Sequence, residues 1–487
     1  MGGIIRDSLL GRQTSDVDIA VSGNAPDIAR LVADDLNGKF VLLDSANSIA
    51  RVIVFKQGPQ ESITREFQCC RTEWHLDFSS FSGDIESDLA RRDFTVNAMA
   101  MELSRFVTAN TGKQSQLKLI DPFSGEKDSL NKVLRAVSDE IFESDAARLL
   151  RAVRLAAELD FTIAPETENL IRHHSQSITR IAGERIREEL LRLLSLPKAA
   201  QHLLYLDSLG LLLALIPELA ESKGVGQPTV HFWDVFEHSV QTVAAAEFLM
   251  RENDWEYGHE EILAAAPWSD LIDQHLSQEI SSGSNRKVLL KLGGLLHDIA
   301  KPRTKSIDDT GRARFLGHPK QGAAITANIL ERLRFSNKEI NLVESLVYHH
   351  LRPVQMANEG MPTQRAIYRY FRDTGDAGID ILLLALADHL ASRGPLMTTK
   401  EWKEHCQLAG YILSGHEKQQ DVLLPVKLID GHDLINTIGL SPGSLIGELL
   451  SLVRESQASG EITTREEALA LAQKELNKLQ SGTRSGN

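Results

Sequence analysis

Gly2-Gly3-Ile4-Ile5-Arg6-Asp7-Ser8-Leu9-Leu10-Gly11-Arg12 runs into Asp16-Val17-Asp18-Ile19-Ala20-Val21, and this stretch sets the expected fold. The paired glycines let backbone amides come close to a ligand, and a helix beginning there favours an anion at its N-terminus. Arg6, one turn in, adds a charge-assisted donor. The second run reads as a strand, on which Asp16 and Asp18 put both carboxylates on one face. Two such groups suit a pair of Mg²⁺ ions that activate an attacking hydroxyl and steady a departing pyrophosphate. Exposed or capping aspartates also produce a D-x-D pair. The glycine pair, Arg6-Asp7, Gly11-Arg12 and the strand itself favour the metal reading here.

Working outward, residues 1–130 mix short strand-like runs (16–21, 50–55 and 117–120) with helical ones, which predicts an α+β head. From 131 onward the apolar spacing is helical, as over 146–159 and 186–194. A Gly- and Pro-bearing stretch at 221–228 reads as a linker, and the polar run 277–285 as an exposed loop. A break at 393–395 precedes a helical, acidic tail whose last residues, 481–487, look disordered. The expected division is a head over 1–130, a helical neck and body over 131–225, a second domain over 226–395 and a helical region over 396–487.

The 487 residues carry a net charge of −14, which argues mildly against a nucleic-acid binder. Arginine is nevertheless dense over 148–154, 180–192 and 365–372. Each cluster also fits a solvated helix face, so charge alone decides nothing. No apolar run is long enough to cross a bilayer, and no export signal opens the chain. Three cysteines, two of them adjacent, make a disulfide framework improbable and fit a reducing cytoplasm.

With these motifs the head resembles the class II tRNA nucleotidyltransferase and poly(A) polymerase family of the polymerase β superfamily. The resemblance implies that Gly3 and Arg6 bind nucleotide phosphates and that Asp16 and Asp18 hold metal. Arg91-Arg92-Asp93-Phe94-Thr95-Val96-Asn97-Ala98 is close to that family's most specific signature. It implies that Arg92 contacts the incoming nucleotide while Asp93 and Asn97 shape its ribose side. Asp121-Pro122-Phe123-Ser124-Gly125, with Asp128, matches the segment joining head to neck. In Asp145-Ala-Ala-Arg148-Leu-Leu-Arg151-Ala-Val-Arg154, polar residues recur every three positions along a helix. By resemblance Asp145 and Arg148 choose C or A by hydrogen bonding, while Arg151 and Arg154 bind nucleotide; a helix laced by Asp–Arg pairs is the plainer account. The family has two acidic residues before this helix, and here Ser144 replaces the first. Arg185 to Glu189 resembles the last and least specific neck motif. A third carboxylate is expected on a neighbouring strand: Asp77, with Glu66 as competitor. The family also has a helix and strand before the glycine pair, whereas Met1 abuts Gly2. Either the start lies upstream or that first strand is missing.

Farther along stand His238, His297-Asp298, Lys301, His318, His349-His350 and Asp388. Imidazoles and carboxylates together suit a one- or two-metal hydrolytic site, and the adjacent His297-Asp298 is placed to bridge two ions. This set resembles the HD phosphohydrolase superfamily. The resemblance implies a first divalent transition metal on His238, His297, Asp298 and Asp388. His318, His349 and His350 would complete a second site, with Lys301 at a substrate phosphate. A domain kept only as scaffold is the competing account.

Together these features predict a cytoplasmic, template-independent nucleotidyltransferase that adds C and/or A to the 3′ end of tRNA from CTP and ATP. The rivals are an enzyme adding only C, only A or a poly(A) tail, and a metal-dependent phosphohydrolase whose head only binds nucleotide or RNA.

Overall fold

The computed structural model describes residues 1–55, 73–81, 83–110, 119–228, 231–357, 360–421 and 427–482. They form two compact units: Met1–Leu196 with Tyr205–Leu215, and Pro197–Leu204 with Ile216–Asn487.

The first unit is α+β at its start and helical afterwards. Helix α1 (Gly3–Leu9) leads to strand β1 (Asp16–Val21), followed by helix α2 (Ala25–Asp35) and strands β2 (Lys39–Asp44), β3 (Ile49–Phe55) and β4 (Glu73–Ser80). The sheet order is β1-β4-β3-β2, with β1 parallel to β4 and the other pairs antiparallel. Period-two alternation divides its faces. Ala50, Val52 and Phe78 pack against Ala25, Ala29 and Ala33 of α2, and Ile19 and Val21 join that core. Asp16, Asp18, Arg51 and Asp77 fall on the opposite face. Asn24 caps α2 by accepting from the Asp27 amide, which satisfies one orphan donor of the first turn.

The helical expectation after 131 holds for Arg148–Leu159 and Gly183–Ser195, whose buried faces are mainly leucine. A short parallel pair, Val133–Leu134 with Thr162–Ile163, interrupts the helices there. Residues 117 and 118 of the strand expected over 117–120 lie outside the described residues, and its last residue, Ile120, bridges to Ala100.

In the second unit, helices Val235–Leu249, Arg286–Leu296, His318–Arg332, Asn337–His349 and Gly378–Arg393 pack into one helical domain. The polar run expected to be a loop at 277–285 is instead a small hairpin, Glu279–Ser281 with Ser284–Asn285, turned at Gly283 with φ +83°. Such a turn needs a positive φ that glycine adopts freely, and Gly283 was the overlooked signal. Helix Gly378–Arg393 stops where Gly394 turns the chain with φ +49°. A separate cluster around Leu434, Leu449, Val453, Ala468 and Ala472 forms the core of the last three helices. Among the described residues, no helix is long and apolar enough to cross a membrane.

One buried ion pair anchors the second unit. Lys291 and Glu247 are each about 1% exposed and meet at 3.2 Å, and Glu247 also accepts from the amide of Ala199 at 2.9 Å. Lys291→Ala strands the carboxylate without its cation. The expected result is a loss of about 3–5 kcal/mol of stability, read as a lower chemical-denaturation midpoint. A midpoint within error of wild type would show that the pair contributes nothing.

Candidate nucleotidyl-transfer and metal sites

The two glycines of the pair differ in conformation and surroundings. Gly2 has φ +69°, and a Cβ there would fall 2.5 Å from Asp18 Oδ2 and 2.9 Å from an Arg92 nitrogen. Only glycine permits this approach. Gly3 opens α1 and lines the cleft beside it.

That cleft measures about 530 Å³. It brings together Gly3, Arg6, Asp16, Asp18, Arg92, Asp93, Asn97, Asp145, Arg148, Arg151 and Arg154, all singled out from sequence, although they lie as far as 151 positions apart. Asp16 and Asp18 leave β1 on one face, with side chains 73% and 41% exposed. Asp16 lies 3.2 Å from His75 Nδ1, and Asp18 lies 3.7 Å from Arg92, beyond hydrogen-bond distance. Two open carboxylates, an all-oxygen donor set, fit hard divalent cations.

Around them the arginines are held in place by hydrogen bonds and ion pairs. Arg6 donates to Asn97 Oδ1 at 2.6 Å and to Asp7 at 2.9 Å. Asn97 in turn donates to Asp93 at 3.2 Å, and Arg151 pairs with the same Asp93 at 3.1 Å. Arg148 donates to the carbonyl of Arg91 at 2.9 Å and lies 3.3 Å from the Ser144 hydroxyl. The serine that replaces an acid therefore touches the arginine it precedes. Arg154 is buried and tied to Glu189 at 2.6 Å and to Glu158. Its charge is largely spent inside the protein.

Asp77 stands opposite Asp18 in the β1–β4 register, on the face that carries both aspartates. Its two oxygens, however, accept from Arg51 at 2.6 and 2.7 Å, and it does not line the cleft. Its competitor Glu66 lies outside the described residues. Arg51 and Arg185 were missed as site residues. Arg185, within the neck motif read above, donates to both oxygens of Asp145 at 2.9 and 2.7 Å.

The second unit gathers the histidine set in its buried interior. His238 Nε2 lies 3.2 Å from His297 Nε2 and 3.1 Å from Asp388 Oδ1. His318 Nε2 lies 3.3 Å from His350 Nε2 and 3.3 Å from Asp298 Oδ1. Asp298 stands between the groups, its Oδ2 being 3.1 Å from His297 Nε2. The structure thus makes two triads, His238–His297–Asp388 and Asp298–His318–His350, and puts Asp298 with the second while it touches both.

His349 is not part of either triad. It ends helix Asn337–His349 half-buried against Tyr348, because one residue along a helix turns a side chain by about 100°. His350 takes the inward position. Lys301 Nζ is 2.6 Å from Asp298 and 2.6 Å from Gln227 Oε1, a partner that a linker-like sequence does not announce.

The donor set fits metal. His297, His318 and His350 turn Nδ1 to backbone carbonyls at 2.7–2.8 Å, which leaves Nε2 to face its neighbours. Burial, then the nearby His297, pushes His350 down to about 3, so its ring is neutral and able to ligate. Burial favours protonation of Asp298, but His297 and Lys301 outweigh it and hold the carboxyl well below its ordinary range. Both Asp298 oxygens are enclosed without a directed hydrogen bond, although nitrogens lie at ion-pair distance. Imidazole nitrogens facing one another across buried carboxylates form a donor set that suits a cation among them.

Three stretches of the chain match known families. Residues 1–135 match the family described as "Poly A polymerase head domain", 160–223 that described as "Probable RNA and SrmB- binding site of polymerase A", and 235–393 the "HD domain". An A-adding tRNA nucleotidyltransferase of Deinococcus radiodurans is 32% identical over 480 residues, covering 97% of this chain and 94% of that protein. A CC-adding tRNA nucleotidyltransferase of Thermus thermophilus is 30% identical over 478 residues, covering 96% and 92%. A solved CCA-adding enzyme with ATP superposes with a TM-score of 0.61 at 21% identity, over 99% of this chain and 89% of that one. A Thermotoga maritima CCA-adding enzyme complexed with tRNA gives 0.57 at 22% identity, over 98% and 90%. At those identities the likeness is one of fold.

Proposed function

Because this chain belongs to the family of tRNA nucleotidyltransferases, we propose that it adds C and/or A to the 3′ end of tRNA in the cytoplasm, using CTP and/or ATP and no nucleic-acid template. The observation that carries this reading is one cleft holding Asp16 and Asp18 beside six arginines. The 3′-hydroxyl gives up its proton to solvent as its oxygen bonds to the α-phosphorus, the bond to the bridging oxygen of the β-phosphate breaks, and pyrophosphate leaves. Two divalent cations, Mg²⁺ in our reading, would be held by Asp16 and Asp18 and would supply hydroxyl activation and charge neutralisation.

The chain's own residues do the rest. Arg6 and Arg92 offset the triphosphate charge from the same side as the glycine turn. Asp93 and Asn97, locked to Arg151 and Arg6, shape the ribose side. Asp145 and Arg148 read the base edge as acceptor and donor. Arg151 adds a cation on the nucleotide's side, while Arg154, its charge already offset by Glu189 and Glu158, lines the cleft beside it. Incubation with tRNA transcripts lacking C-C-A, C-A or A, with labelled CTP and ATP supplied separately, tests the reading and fixes which residues are added. No incorporation on any transcript would refute it.

Asp77 serves as the third carboxylate in this reading, supported by its register beside Asp18. Asp77→Ala is expected to lower kcat for incorporation by roughly tenfold or more, one ligand's share of a metal-dependent step. An unchanged kcat would hand the role to Glu66.

The two buried triads favour a second activity, phosphate-ester hydrolysis in the second unit with a divalent transition metal. Metal titration with Mn, Fe, Ni or Zn, followed by phosphatase and cyclic-phosphodiesterase assays, tests it. Neither uptake nor turnover would leave this unit as scaffold. The alternative of a phosphohydrolase whose head only binds nucleotide finds no support, since the full-length relatives are named as transferases.

A further inference from the structure

Asp145 is an extended residue just before helix Arg148–Leu159, with φ −153° and ψ 100°. Its Oδ1 accepts from Arg185 Nη1 at 2.9 Å and from the Ala147 amide at 3.1 Å, and its Oδ2 accepts from Arg185 Nη2 at 2.7 Å. A carboxylate has about four lone-pair positions, so these three bonds leave one, on Oδ2. Asp145 lines the transfer cleft, whereas Arg185 lines a neighbouring cavity of about 580 Å³ that shares Asp145. Arg185 also lines a cavity of about 170 Å³ with Asp145, Arg148 and Arg151 but is not among the residues lining the cleft itself, so it meets the carboxylate at the cleft's edge. Burial alone would raise the Asp145 carboxyl, but the Arg185 hydrogen bonds outweigh it and hold it below its ordinary value. It is ionised near neutral pH and acts only as an acceptor.

Base chemistry makes that single acceptor consequential. Cytosine and adenine each present an amino donor beside a bare ring nitrogen. Uracil and guanine reverse the order, with a carbonyl oxygen beside a ring N–H. A fixed acceptor beside a fixed donor fits the first pair and sets like against like with the second. A carboxylate free to turn would regain acceptor positions and take the ring N–H of uracil or guanine instead.

We propose that Arg185 is a positioning residue for base selection, whose two-point grip leaves Asp145 a single acceptor and so excludes uracil and guanine. This rests on the reading of Asp145 and Arg148 as the base-selecting pair. A guanidinium fork is required because an ammonium makes no matched pair of bonds.

The test uses the full chain with Arg185→Lys and Arg185→Gln. Steady-state incorporation of all four nucleoside triphosphates onto tRNA transcripts is measured for each protein. The expected result is a fall of about tenfold or more in the kcat/KM ratio of CTP or ATP over UTP and GTP. It appears as a raised KM for the correct nucleotide and a gain of the wrong ones, with lysine intermediate between wild type and glutamine. Each ratio comes from one preparation, so partial misfolding cancels. Uniform loss for all four nucleotides, complete loss included, or an unchanged ratio overturns the proposal. A wild-type chain that incorporates neither CTP nor ATP would overturn the transfer reading and this inference together, and that failure shows before any variant is compared.

Discussion

Replacing Asp16 or Asp18 by alanine should reduce CTP and ATP incorporation by roughly 10³-fold or more, since each removes a carboxylate from a metal-dependent step worth several kcal/mol. Both side chains are open to the cleft, and neither supports the packed face of the sheet, so the variants should fold. That separates lost chemistry from lost structure. Nucleotide binding should fall far less than turnover, because Arg6 and Arg92 still face the triphosphate. Metal uptake by the histidine triads should not change. A variant that kept transfer within threefold would remove these aspartates from the mechanism.

The second large effect is expected at Asp298. Because this carboxylate lies within 3.3 Å of His297, His238 and His318, Asp298→Ala should abolish both metal sites at once. His318→Ala should empty only the triad to which it belongs. Elemental analysis of the purified chains would read this as two, one and no ions for wild type, His318→Ala and Asp298→Ala. His349→Ala should match wild type. Phosphate-ester hydrolysis should vanish with Asp298→Ala while incorporation persists. Metal excess should raise the unfolding midpoint of wild type, because a ligand at about 1,000 times its Kd adds about 4 kcal/mol, and should leave that of Asp298→Ala unmoved. Equal ion content in wild type and Asp298→Ala would sink the shared-ligand geometry.

Much of this molecule is legible without coordinates, for local reasons. The alternation of Asp16 and Asp18 is a property of a strand, and the three-residue spacing of Arg148, Arg151 and Arg154 is a property of a helix. Gly2 and Gly3 declare a tight turn ahead of a helix by residue type alone. The order of His238, His297-Asp298, His318 and Asp388 was likewise enough to gather most of the buried histidine and aspartate cluster. At 277–285 polar residues suggested a loop, but Gly283 allowed the hairpin that the structure contains.

What the chain could not announce were pairings across distance. Asp77 looks like a free ligand in sequence, yet antiparallel register puts Arg51 directly opposite it and engages both of its oxygens, leaving one acceptor position on each. Arg185 lies 40 positions from Asp145, and only the packing of helix Gly183–Ser195 against helix Arg148–Leu159 joins them. Of two consecutive histidines, the helical rotation chose His350 for the interior. Local spacing, then, fixed which side chains are available, since strand and helix periods act over a few residues. Tertiary packing decided which of them remain free to act, because each partner arrives from an element whose position depends on burying apolar faces elsewhere in the fold.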